Sequence, residues 1–203
     1  MTPFVEQLLV DLRATSPLEG ASVALGLVYV VLAVQRSRWC WVYGGLSSAG
    51  LAWLAARSAL PMQAALQAFY VAMAAYGFAR WSADRDAGGR VTVGWWPIRR
   101  HVAAWIAIAV LTLVSAEALA RHTHAARPML DAACTWGSLL ATWLAARARI
   151  ENWLYWIVID AALGVLFASQ ALALVALLYF VYLGIAGAGF ASWWRRLPRP
   201  GSV

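Results

Sequence analysis

The residues best placed to do chemistry in this sequence sit in apolar surroundings. Asp160 ends the run Trp153-Leu154-Tyr155-Trp156-Ile157-Val158-Ile159-Asp160, which otherwise has the composition of a membrane span. A carboxylate at the centre of a span costs about 2.5–3.5 kcal/mol to insert, so it needs a partner or a function. Counted from Glu151, where the helix is expected to begin, Asp160 lies about 13 Å along the axis, close to the bilayer midplane. Asn152, Trp156 and Asp160 recur every four residues, so one helical face carries an amide, an indole and a carboxylate. Such a face is costly against lipid and should point inward. Two roles suit Asp160: a structural tie to Ser47, Ser48 or the neighbouring backbone, or an acceptor and counter-charge for a ligand. Glu151 falls in the first turn, where the helix dipole favours a negative group, and reads as a cap.

A second polar stripe is formed by Gln63, Gln67 and Tyr70, at spacings of four and three, with Tyr76 further on; Tyr179 and Tyr182 are the later counterparts. Together these positions offer π faces, amides and one carboxylate. That set suits a flat heterocycle with hydroxyls or a positive charge: rings stack, a cationic ring is attracted to aromatic faces, and amides bond hydroxyls. Glu117, His122, His124 and Asp131 surround one loop but lack metal-ligand spacing. No nucleophile elbow, paired-cysteine motif or phosphate-binding loop accompanies them. Neither a metal, a cofactor nor ATP hydrolysis is expected.

The elements that must hold these residues follow from composition. Of 203 residues, 63% are apolar and 12% charged, so lipid is the solvent. Seven apolar stretches, near 20–35, 39–57, 61–81, 101–120, 129–146, 152–169 and 172–193, are each about long enough to cross a bilayer. Residues 82–100 are too few to bury a core, so a single all-α transmembrane domain spans 1–203. Residues 1–13 read as an interfacial helix. The net charge of +7 comes entirely from arginines, since there is no lysine, and these sit between apolar stretches, which argues against nucleic acid. With the amino terminus outside, twelve arginines face inward and Arg13, Arg57, Arg121 and Arg127 face outward. This bias places the carboxyl terminus in the cytoplasm of a cell whose inner membrane the chain spans. Trp39, Trp81, Trp95, Trp96, Trp193 and Trp194 fall at helix ends and are assigned to interfacial belts. Cys40 and Cys134 lie too far apart in depth for a disulfide and read as packing residues.

An internal repeat appears at an offset of 112 residues, aligning 21–81 with 133–193. Its rarer matches are Trp41-Val-Tyr43 with Trp153-Leu-Tyr155, Tyr70 with Tyr182, and Gly77-Phe78-Ala79-Arg-Trp81 with Gly189-Phe190-Ala191-Ser-Trp193. Each unit holds three helices, and the crossing at about 101–120 restores the second to the orientation of the first. The expected architecture is two parallel three-helix bundles joined by a linker helix, with polar differences between copies marking a site at their interface.

The run Glu151-Asn-Trp-Leu-Tyr-Trp-Ile-Val-Ile-Asp160 resembles the signature helix of the PnuC family of vitamin transporters, and the spacing of Gln67, Tyr76-Gly77 and Trp81 resembles its first-repeat counterpart. The resemblance implies a seven-helix fold similar to SWEET carriers, a homotrimer with one path per protomer, and facilitated uptake of nicotinamide riboside that feeds NAD synthesis. It also implies a cytoplasmic kinase that traps the product. The site residues it points to are Gln67, Asn152, Trp153, Trp156 and Asp160, to which the polar stripes add Tyr70 and Tyr182. Nicotinamide riboside and thiamine would use both the stacking and the negative charge; riboflavin would use only the stacking. Ala74 stands where the family pattern has Asn, so that position offers no polar contact to cargo. An intramembrane enzyme using Asp160, or Glu117 with His122, is the alternative from another class.

Overall fold

A computed structural model describes residue 10 and residues 14–58, 61–122 and 127–197. The expected interfacial helix at 1–13, apart from residue 10, lies outside the described residues, as do His124 and the side chain of His122. Seven long helices are present among the described residues: α1 (Pro17–Val34), α2 (Cys40–Arg57), α3 (Pro61–Ala83), α4 (Ile98–His122), α5 (Pro128–Ala146), α6 (Asn152–Ser169) and α7 (Ala173–Trp194). Local chemistry sets their ends. Ser16 caps α1, its hydroxyl accepting the Glu19 N–H at 3.2 Å, and Pro17 follows at the first helical position. Pro128 opens α5 in the same way, with Asp131 in the first turn.

Four of these helices, α1, α4, α6 and α7, are long and apolar enough to cross a membrane. The other three carry the serine, threonine and glutamine residues of the interior: Ser47 and Ser48 on α2, Gln63 and Gln67 on α3, and Thr135, Ser138 and Thr142 on α5. Their lower hydropathy follows from facing a cavity.

Helices α1, α2 and α3 pack in sequence, as do α5, α6 and α7. The two groups meet through α1 against α7 and α3 against α5, closing a ring of six helices, while α4 packs outside the ring on α5. Positions 112 apart do matching work. Helices α2 and α6 begin at 40 and 152 and end at 57 and 169. The turns leaving α1 and α5 each put a non-glycine residue in the left-handed region, Arg36 at φ 59° and Ala148 at φ 52°. The Trp41 ring lies on Gly77, and the Trp153 ring on Gly189. Small residues let indole and backbone approach where aqueous burial supplies no driving force.

The end of the ring that gathers Arg36, Arg38, Arg80, Arg147, Arg149, Arg195 and Arg196 is closed by the segment between α3 and α4. Asp86 organises a tight turn there, its Oδ1 accepting the N–H groups of Gly88 at 3.0 Å and Arg90 at 2.9 Å, with Gly89 supplying φ 72°. Its Oδ2 accepts from Arg36 Nη1 at 3.3 Å, and the same guanidinium nitrogen donates to the Val91 carbonyl at 3.1 Å. Beyond the turn the segment bonds both left-handed corners: Val91 N–H to Arg36 O at 3.3 Å, Gly94 N–H to Ala148 O at 3.1 Å. Val91 and Val93 are buried beneath the ring.

Glu151, expected as a simple cap, has no side-chain bond to its own helix. Its carboxylate instead accepts the Trp96 N–H at 2.6 Å and lies 3.3 Å from Nε2 of buried His101, whose Nδ1 is 3.0 Å from the Tyr155 hydroxyl. This clamp fastens α4 to the start of α6. The tryptophans also divide differently from the belt assignment. Trp39, Trp95 and Trp194 are about half exposed, but Trp81 and Trp193 are each 1% exposed. A helix-end position suggested the interface, whereas a cross-ring hydrogen bond holds these two inside. Cys40 and Cys134 are both free and buried.

Two outcomes test this packing. Gly77→Ala and Gly189→Ala would each drive a methyl group into an indole and should lower stability by about 1–3 kcal/mol, whereas Gly184→Ala meets no atom within 4 Å and should leave the melting temperature in detergent unchanged. Backbone hydrogen bonds, led by the Arg90 N–H, and the Arg36 guanidinium hold the Asp86 carboxyl below its ordinary pKa. Its contribution is therefore complete above about pH 4 and fades as pH falls through the lowered value. The wild-type melting temperature should drop more steeply below that point than that of Asp86→Asn, which keeps the turn acceptor; parallel profiles would remove Asp86 as the cause.

Candidate functional site

The ring encloses a cavity of about 470 Å³, within the roughly 300–1,000 Å³ range of small-molecule sites. All seven site residues expected from the sequence line it: Gln67 and Tyr70 from α3, Asn152, Trp153, Trp156 and Asp160 from α6, and Tyr182 from α7. Asn152, Trp153, Asp160 and Gln67 are buried, and Tyr70, Trp156 and Tyr182 partly so. The every-fourth-residue stripe on α6 thus faces inward along its length. Asn152 Nδ2 donates to the Arg149 carbonyl at 2.6 Å, so part of its amide is committed to the turn before its helix.

Asp160 is the ninth of the eighteen residues of α6 and 4% exposed. The structural tie suggested for it is absent at Ser47, whose hydroxyl donates across to the Ser22 carbonyl at 2.7 Å. Among the described residues no donor hydrogen-bonds the Asp160 carboxylate; Cys134, Tyr179 and Tyr182 lie within its electrostatic reach. Asp131 adds a second carboxylate to the lining, towards the end of the ring opposite the arginines, and among the described residues no arginine or histidine lines the cavity. Glu117, weighed with Asp131 as a metal or catalytic group, instead pairs with Arg121 on the exposed side of α4 at 2.6 Å. Among the described residues no group of acids, histidines and cysteines is arranged to hold a metal.

The 112-residue offset separates the lining into shared and unshared parts. Trp41 and Trp153, Tyr70 and Tyr182, and Trp81 and Trp193 are matched pairs. They form an aromatic frame with near-perpendicular contacts, Trp41 to Trp81 at 5.6 Å and Trp153 to Trp193 at 5.4 Å. The carboxylate and amide groups are single. Asp160 faces Ser48 in the alignment, Asn152 faces Cys40, Gln67 faces Tyr179, and Trp156 faces Gly44. Gly44 is small because the Tyr29 ring occupies the adjacent space, where an added Cβ would lie 2.8 Å from it. Ala74, where the resembled family has Asn, lines the cavity and is matched by Ala186, so neither copy offers a polar group there.

Sequence reasoning passed over Trp41, Trp81 and Trp193 as lining residues. The signal that could have found them was present, since all three recur across the repeat, but a tryptophan near a helix end also suits an interfacial belt. Tyr29 carried no such signal.

Comparison with known proteins agrees with this geometry. The model of the family described as nicotinamide mononucleotide transporter matches residues 16–195. A riboflavin/roseoflavin transporter, RibM of Streptomyces davaonensis, is 31% identical over 182 residues, covering 86% of this chain and 83% of that protein. The crystal structure of the vitamin B3 transporter PnuC is similar in fold, with a TM-score of 0.74 over 96% of this chain and 88% of that one, at 22% identity. The family model spans most of the chain and the 31% identical relative is itself a transporter, so the chain belongs to the nicotinamide mononucleotide transporter (PnuC) family of membrane transporters.

Proposed function

We propose that this chain is a facilitative vitamin carrier whose preferred cargo is nicotinamide riboside. The observation that supports this most is the Asp160 carboxylate, buried at mid-helix in an aromatic cavity with no basic residue among the described ones that line it. A pyridinium ring carries a fixed positive charge, so it gains both cation–π attraction from the indoles and Coulomb attraction from the acid. Its ribose hydroxyls suit Gln67 and the free part of Asn152. A phosphorylated cargo fits badly, because its negative charge would face Asp131 and Asp160 with no cation among the described lining residues to meet it.

In this reading all seven helices cross the inner membrane, with the amino terminus outside and the arginine-rich end in the cytoplasm. The units 21–81 and 133–193 lie parallel, with α4 as the linker, and they rock to expose the cavity to each side in turn. The sequence carries no ATP-binding motif, and in this reading net uptake follows the gradient, kept steep by a cytoplasmic kinase; a homotrimer would carry three such paths. Riboflavin is the second reading, favoured by the identity to a riboflavin/roseoflavin transporter, and thiamine shares the cationic logic of the first.

Uptake of each labelled vitamin into cells expressing equal amounts of protein separates these readings. Asp160→Asn should reduce nicotinamide riboside uptake about tenfold or more, the loss of one charge-assisted contact, and leave any riboflavin uptake nearly intact. Trp156→Ala should depress transport of either cargo. Normal transport by both variants would remove these residues from the site, and riboflavin uptake alone in the wild type would decide for the second reading.

A further inference from the structure

The arginine-rich end of the cavity is closed by two hydrogen bonds that exchange partners between the halves of the ring. Trp81, at the end of α3, donates its indole N–H to the Ala145 carbonyl in the last turn of α5, at 3.1 Å. Trp193, at the end of α7, donates to the Ala33 carbonyl in the last turn of α1, also at 3.1 Å. Donors and acceptors are each 112 residues apart, so the two bonds are one interaction made twice. Both rings are 1% exposed, line the cavity, and lie 5.9 Å apart, leaving no way through the floor between them.

The acceptors belong to helix ends, where carbonyls lack intrahelical partners. Each also receives a backbone N–H from the left-handed corner that follows, Arg36 to Ala33 O at 2.9 Å and Ala148 to Ala145 O at 2.8 Å. Losing the indole therefore leaves the carbonyl partly satisfied, which makes the bond a breakable one. The indole N–H groups of neighbouring Trp41 and Trp153 are buried without any acceptor, so the use of Trp81 and Trp193 is specific to their cross-ring position.

We propose that Trp81 and Trp193 are the gate of the transport path at the arginine-rich end, a latch of two reciprocal bonds that open together when the halves of the ring rock apart. This rests on the alternating-access reading above. Each bond runs from one half of the ring to the other, one at the α3–α5 contact and one at the α1–α7 contact, so a separation of α1–α3 from α5–α7 at both contacts breaks the two together.

The test uses the full chain with Cys40→Ser and Cys134→Ser, and Thr142→Cys as reporter, a near-isosteric change on the cavity wall one turn above the floor. A membrane-impermeant methanethiosulfonate reagent is applied to vesicles presenting either face, with and without Trp81→Phe and Trp193→Phe, which delete the donors and keep aromatic bulk. In the double variant, labelling from the arginine-rich face should rise about tenfold, the effect of two ordinary hydrogen bonds on a two-state equilibrium, and labelling from the other face should fall. Each single variant should give an intermediate rise, and the singles carry the test if the double variant does not fold. Unchanged labelling from the arginine-rich face in folded variants would overturn the gate. A parallel thermal-shift assay with nicotinamide riboside and riboflavin separates the two ideas: if neither binds the parent protein, the cargo reading fails while the labelling result still judges the gate.

Discussion

Removing a carboxylate from water is tolerable in this protein only because the ring of helices gives Asp160 an interior to face. On the lipid side of α6, where Val158 and Val165 are exposed, the same group would cost several kcal/mol with nothing to offset it. Placed inward, it sits beside tyrosines and a thiol, still without a hydrogen-bond donor among the described residues. The remaining features follow from that placement. All six helices of the ring line the cavity, with its serine, threonine and glutamine on α2, α3 and α5, while α1, α4, α6 and α7 are apolar enough to cross lipid.

Chemistry is distributed unevenly over a nearly repeated frame. Aromatic residues and glycines at matching positions build the walls and floor twice: Trp41 on Gly77, Trp153 on Gly189, and the exchanged bonds of Trp81 and Trp193. The carboxylate and amide groups appear once, with Asp160 opposite Ser48 and Gln67 opposite Tyr179. A symmetric frame can rock without changing its own energy much, while an asymmetric set of polar groups gives a cargo one preferred orientation. In the proposed alternating access, motion and recognition fall to different residues in the same cavity. The segment between α3 and α4 bonds the Arg36 corner of one half and the Ala148 corner of the other.

Periodicity made the helices and the inward stripe legible because lipid solvent enforces both. The spans read from apolar runs differ from the observed helices by at most three residues at any end, and Asn152, Trp156 and Asp160 face the cavity as their spacing required. What stayed hidden depended on partners distant in sequence. Nothing local distinguishes Trp81 from Trp39, yet one reaches the Ala145 carbonyl and the other is half exposed. Glu151 occupies a capping position, but Trp96 and His101, more than forty residues earlier, decide what its carboxylate does. Tyr29 enters the site only because Gly44 makes room for its ring.

The account stands or falls on what this cavity accepts. The most direct measurement is ligand-induced change in melting temperature of the purified chain, comparing nicotinamide riboside with its 5′-phosphorylated mononucleotide at equal concentration, since only binding to the folded form raises stability. A lining that is acidic and, among the described residues, without a cation predicts a rise with the riboside and none with the mononucleotide. An equal or larger rise with the phosphorylated compound would contradict it.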